Sequence, residues 1–193
     1  AVIPDNVDGR PFLGKGASTR SYTFNYADRF DEKYDFVRWL RKGKYSYQRN
    51  FQPFNFDALQ NDYRYKQLAF EEWRQLYQKG KLNAIQRQFF ETRPAEALYN
   101  VEADPHETHN LASDPSFAKV LDEMRNLMSS ELRRINDLSF FPEPIMLKEA
   151  MKSPVNYGKD KADHIKKLIA IADLQLRPYK KVESQIKEAL LSD

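Results

Sequence analysis

The sequence predicts an α+β fold: a small antiparallel sheet packed on one long amphipathic helix and followed by a C-terminal helical hairpin. Three observations carry this. Tyr22, Phe24 and Tyr26 alternate with Ser21, Thr23 and Asn25, the period of two of a half-buried strand, and Tyr45, Tyr47, Arg49 and Phe51 repeat it. Phe117, Val120, Leu121, Met124, Leu127, Met128, Leu132 and Ile135 fall on one stripe at 3.6-residue spacing. Beyond Pro144, two further amphipathic stretches, 161–176 and 180–191, are separated by Arg177-Pro178.

Composition sets the outer limits. At 193 residues the chain is long enough for one domain with a real core, or a domain plus an appendage. With 41% hydrophobic and 31% charged residues it reads as globular, and no apolar run approaches the length that spans a bilayer. The net charge of +3, with acids and bases interspersed, neither requires nor excludes a polyanionic partner. Cysteine is absent, which excludes disulfides, cysteine nucleophiles and thiolate metal sites while leaving the compartment open. The opening Ala-Val-Ile-Pro shows no signal-peptide pattern.

Residues 1–16, rich in Pro, Gly and Asp, read as an irregular entry segment. A strand over 20–30 ends in the charged run Asp28-Arg29-Phe30-Asp31-Glu32. Segments 36–40 and 44–51 flank Arg41-Lys42-Gly43, whose glycine can take positive φ and close a hairpin. Residues 51–62 lack a period and read as a loop. Ala69, Trp73, Leu76 and Tyr77 recur at helical spacing within 65–79, with Gly80 at the C-terminal cap, and Asn83 and Gln86 have capping-box spacing for a second short helix. Arg93-Pro94 ends it, and a strand over 95–101 follows. Asp104-Pro105 forces a turn, and Asp114-Pro115 puts an N-cap residue before a proline at the first helical position, where the missing N–H costs nothing. After Pro142 and Pro144 a short helix is expected over 145–152. In the final hairpin Ile165, Leu168, Ile169 and Ala172 are expected to face Val182, Ile186, Ala189 and Leu190, a single unit of an α-solenoid.

The run from Ala97-Leu98-Tyr99-Asn100 through Asp104-Pro105-His106-Glu107 to Asn110-Leu111-Ala112, followed by the amphipathic helix and Phe141-Pro142-Glu143, resembles the C-terminal subdomain of type I sulfatases. N-sulfoglucosamine sulfohydrolase-like and related bacterial carbohydrate sulfatases carry a similar E-L-Y-D-L-x-x-D-P-x-E-x-x-N-L-A signature; Ala97 stands here for the usual Glu and Asn100 for the usual Asp. The similarity reaches back through Asp28-Arg29-Phe30-Asp31 to about Gly9. It implies a division into 1–144, a sulfatase C-terminal subdomain entered by a linker from a catalytic subdomain, and 145–193, the start of a HEAT-like extension. On this resemblance the chain is a fragment of a sulfuric ester hydrolase acting on sulfated carbohydrate such as glycosaminoglycan, periplasmic or secreted. Its expected partners are the upstream catalytic subdomain and the sugar.

Within that resemblance Asp28, Arg29 and Asp31 are the candidate substrate-binding residues, placed at a strand end that faces the substrate cleft. Arginine suits the task because its planar fork donates two parallel hydrogen bonds to a sulfate or carboxylate. By composition alone the same run would be a solvated strand end with exchangeable ion pairs. The family's chemistry needs a formylglycine, made from Cys or Ser in a C/S-x-P-S-R motif, and a calcium ion held by Asp and Asn. That motif is missing, and Ser153-Pro154 lacks the required neighbours. No cofactor and no catalytic residue is therefore expected within this fragment, which should be inactive alone.

Other patterns are weaker. His106 and His109 sit in a turn with no third ligand nearby, so no metal is expected. Lys42 to Arg49 interleaves basic and aromatic residues as nucleic-acid-binding strands do, but without a strongly basic balance, and the aromatic face suits packing on the long helix. No nucleic acid and no membrane is expected as a partner. The rival from another class is a stand-alone interaction module whose helices after Ile145 bind a protein.

Overall fold

The computed structural model describes residues 9–30 and 33–191. Among these residues, strands β1 (Thr23–Phe30), β2 (Lys33–Lys42), β3 (Tyr45–Asn50) and β4 (Glu96–Asn100) form one antiparallel sheet in sequence order, as expected for the α+β class. The β2–β3 turn is shifted from its expected place: Lys42 pairs with Tyr45, so the connection is Gly43-Lys44, and Arg41 and Lys42 belong to the strand. Core pairing decides this register, because it sets Leu40 opposite Tyr47 and Tyr47 opposite Leu98, all fully buried. Gly43 takes φ +56 to close the two-residue loop.

The outer edge of β4 is covered rather than left open. The Asn110 side chain accepts the Leu98 N–H at 2.9 Å and donates to the Glu96 carbonyl at 3.2 Å, and the Leu111 N–H continues the ladder to the Leu98 carbonyl at 2.8 Å. An asparagine side chain thus stands in for a missing peptide and blunts an edge that could pair with another chain. The preceding turn is closed by Asp104, whose carboxylate accepts the His109 N–H and the Thr108 hydroxyl. That places His106 and His109 on the exposed side of a turn.

Asp114 caps a tight turn over Pro115–Phe117 that leads into α4 (Ala118–Ile135). Its stripe meets the sheet: Leu121, Met124, Met128 and Leu132 are buried, while Ile135 in the last turn is exposed. Asn136 in the left-handed conformation (φ 50) ends the helix.

The excursion between β3 and β4 differs from its expected form. The helix expected over 65–79 is present as α2 (Leu68–Gln78) and starts later because Gln67 is extended; ahead of it stands a separate turn absent from the sequence reading, α1 (Asp62–Tyr65), capped by Asn61. Asn83 and Gln86 do form the capping box of α3 (Ala84–Arg87). Trp73 stacks on Phe89 and Tyr77 on Phe90, both at 4.7 Å, so the excursion carries a small aromatic core of its own. It is tied to the sheet by Arg93, which grips the buried Asp35 through two hydrogen bonds.

After α4 the expected helix over 145–152 is a single turn, α5 (Glu143–Ile145), that widens into a π-turn over Met146–Ala150. A helix absent from the sequence reading follows, α6 (Pro154–Asp160), with Gly158 allowing a close approach: a Cβ there would lie 3.2 Å from that of Asn136. The last two helices are α7 (Ala162–Asp173) and α8 (Tyr179–Leu191). Instead of closing on α8, α7 packs on α4, and its Ile165 and Ile169 are fully buried in the same cluster as Leu40, Tyr47 and Leu98. Val182 of α8 is buried as well; the side chain of Leu190 lies outside the described residues.

Two outcomes follow from this packing. Ile169→Ala should lower stability by about 2–5 kcal/mol in urea unfolding followed by the fluorescence of Trp39 and Trp73, in a single transition, because the side chain belongs to the sheet's own core. Burial alone would raise the Asp35 pKa, but the hydrogen bonds and charge of Arg93 outweigh it and hold the carboxyl below its ordinary range. The stability from that pair is complete above the ordinary aspartate value of about 4 and is lost as pH falls through the depressed folded value. Asp35→Asn should therefore cost about 3 kcal/mol near neutral pH and flatten the acid limb of a melting-temperature profile.

Candidate functional site

Two rows of side chains cross the face of the sheet that meets α4. The first, Phe24, Leu40, Tyr47 and Leu98, is apolar apart from one hydroxyl. The next, Tyr26, Arg38, Arg49 and Glu96, sets two arginines side by side, each only 1% exposed. Like charges at that depth need separate partners. Arg38 donates to Asp137 at 2.7 and 3.0 Å, to Asp28 at 2.6 and 3.2 Å and to its neighbouring Val37 carbonyl. Burial lowers its pKa, and the two carboxylates more than restore it, so the net shift is upward. Arg49 has no acid at hydrogen-bond distance: it donates to the carbonyls of Ala95 and Ala172 and to Gln175, and burial leaves its pKa below the usual value.

The sequence-predicted residues lie at the far end of this face. Adjacent strand residues normally point to opposite faces, but the β1–β2 register shifts between Ala27 and Arg29. This bulge brings both Asp28 and Arg29 to the helix-facing side. Asp28 completes the Arg38 cage and accepts the Ser139 hydroxyl at 2.7 Å. Arg29 lies 5.7 Å from the Tyr34 ring centroid and donates to Glu143 at 2.8 and 2.5 Å. Asp31 lies outside the described residues.

The two described candidates open onto different cavities. Arg29 and Glu143 stand on the rim of a groove of about 880 Å³ between the sheet end, the Ser139–Glu143 segment and the α7–α8 connection. Phe36, Phe51 and Phe140 pack in its wall with ring centroids 4.4 to 5.1 Å apart, and Arg177 and Gln175 also line it. Asp28 borders a second cavity of about 520 Å³ together with Tyr26, Asp137 and Lys159. Chemically, the first offers an aromatic wall beside a guanidinium fork, and the second a cage of buried charges already satisfied from within.

The residues that organise this region were only partly visible in the sequence. Alternation puts Arg38 on the face of Leu40 and Arg49 on that of Tyr47, a buried-cation signal. Their partners Asp137 and Ala172 lie roughly a hundred residues away. The Lys42-to-Arg49 strand turns Tyr47 and Arg49 into the core.

No family model matches the chain. An ulvan-active sulfatase of Formosa agariphila is 36% identical over 139 residues, which is 71% of this chain and 23% of that protein. The chain is sulfatase-related. It spans less than a quarter of the length of that relative. An uncharacterized protein of Haemophilus influenzae is 45% identical over 40 residues, 21% of each sequence. Among the described residues of this sulfatase-related region, no three His, Asp or Glu side chains converge to hold a metal, and no helix is long and apolar enough to cross a membrane.

The cage around Arg38 gives a direct test. Asp137→Ala leaves the buried guanidinium with one carboxylate, Asp28, in place of two and should cost about 3 kcal/mol by denaturant unfolding. Arg38→Met combined with Asp137→Leu and Asp28→Asn should recover most of that loss, because exchanging a buried ionic cluster as a whole for uncharged groups of similar size is often neutral, whereas keeping Asp28 would strand a carboxylate.

Proposed function

We propose that this chain is the C-terminal region of a sulfatase that hydrolyses sulfate esters or sulfamates of carbohydrates, including glycosaminoglycan-type chains, in the periplasm or outside the cell. Residues 1–144 would close one side of the substrate cleft and support an upstream catalytic sheet, and 145–193 would begin a HEAT-like extension. The observation that carries this reading is the 36% identity over 139 residues with a sulfatase.

The groove supports it. An aromatic wall suits the C–H face of a pyranose, and the Arg29 fork suits a sulfate oxygen pair. Asp31 is assigned to the same substrate-binding end, while Asp28 acts there through Arg38. Formylglycine and calcium do not fit the residues of this chain: the sequence lacks the motif for the first, and among the described residues there is no converging ligand set for the second. In this reading they belong to the upstream polypeptide, and no step is assigned to them here.

The chain alone should not release sulfate from an aryl sulfate or a sulfated sugar; turnover by this polypeptide would overturn the proposed division of labour. In the longer enzyme, Arg29→Ala should raise KM for the sulfated substrate by about tenfold with an unchanged melting temperature. A KM equal to that of the parent enzyme would remove Arg29 from the site.

A further inference from the structure

The fork of Arg29 is already occupied. Nε and Nη2 donate to the two carboxylate oxygens of Glu143, making the pair of hydrogen bonds that a sulfate or carboxylate ligand would make. Glu143 is held in place by Pro142 and Pro144 on either side and opens α5. Arg29 and Glu143 are 45% and 42% exposed at the rim of the groove, where an ion pair is weak and its members can return to water. The Arg38–Asp137 pair cannot exchange in this way, because at 2% and 5% exposure a departing carboxylate would leave a buried cation.

We propose that Glu143 is an internal stand-in for the anionic group of the ligand: a saccharide bearing a sulfate or carboxylate engages Arg29 by displacing the Glu143 carboxylate. This rests on the reading that Arg29 meets the substrate's anion. One anion replaces another at the fork, and Glu143 carries its charge into solvent. A neutral sugar has nothing to offer Arg29 in exchange and leaves the pair closed. Glu143 thereby sets a threshold that only charged ligands cross, which makes it a specificity-determining residue for this groove rather than a ligand-binding one.

The test titrates inorganic sulfate, a sulfated monosaccharide and its unsulfated parent into the chain and into Glu143→Gln, Glu143→Asp and Arg29→Ala. Calorimetry gives the dissociation constants, NMR follows the Arg29 Nε–H resonance, and thermal melts check the fold. Glu143→Gln should bind both sulfated probes about two- to fivefold more tightly, with no change for the unsulfated sugar. The shorter carboxylate of Glu143→Asp should give an intermediate gain, and Arg29→Ala should lose the sulfate-dependent part of binding. The Arg29 resonance should move on sulfate addition in the parent chain and both Glu143 variants. Unchanged or weaker sulfate binding by Glu143→Gln, with Arg29→Ala still impaired, overturns the competition and leaves the Arg29 reading standing. Sulfate binding that Arg29→Ala does not alter, or none in either the parent chain or Glu143→Gln, overturns both.

Discussion

The guanidinium of Arg38 lies on the face of β2 that packs against the helical layer, two residues from Leu40 and almost without solvent. A charge in that position is tolerated only if carboxylates come to it, since an unpaired buried cation costs several kcal/mol. One arrives through the bulge in β1, which delivers Asp28. The other arrives from the turn after α4, where the left-handed Asn136 reverses the chain and sets Asp137 over the sheet. With that turn fixed, Ser139 reaches Asp28, Phe140 packs on Phe36 and Phe51, and the chain continues to Glu143 beside Arg29. The groove wall and its rim are thus consequences of satisfying one arginine.

Arg49, directly opposite Arg38, imposes a second constraint of the same kind with a different solution. It draws in the C-terminal end of α7, donating to the Ala172 carbonyl and to Gln175, where a helix dipole favours a cation. This docks α7 on the sheet alongside α4 and helps to bury Ile165 and Ile169 in the common core. Residues after Pro144 are therefore coupled to the sheet through a polar anchor as well as through apolar contact.

The parts of the fold legible in the sequence are those in which a local period meets one buried face: the strands, α4 and the Asn83 capping box. The parts that were not legible depend on groups distant in sequence or on a single residue's backbone. Gln67 delays the helix expected from Tyr65 by standing extended ahead of Leu68, and no period reports that. The stripe of α7 is apolar whichever neighbour it meets, so periodicity could not choose α4 over α8. The site was legible through resemblance rather than pattern. Alternation would have sent Asp28 and Arg29 to opposite faces, and the bulge that overrides it has no marker in the run Ala27-Asp28-Arg29.

That bulge also separates two kinds of chemistry within one dipeptide. Asp28, turned inward, meets a cation that has no alternative partner in water, so its bonds belong to the folded state and change only if the fold does. Arg29, one residue on, meets a carboxylate that is nearly half exposed, and both members can be hydrated at small cost. The difference lies in desolvation, not in hydrogen-bond length, since both contacts are short and both arginines use their forks. Buried pairs fix geometry because neither partner can leave; exposed pairs can exchange because either can. A strand end that places one of each side by side holds the groove's wall rigid while leaving its rim free to trade anions.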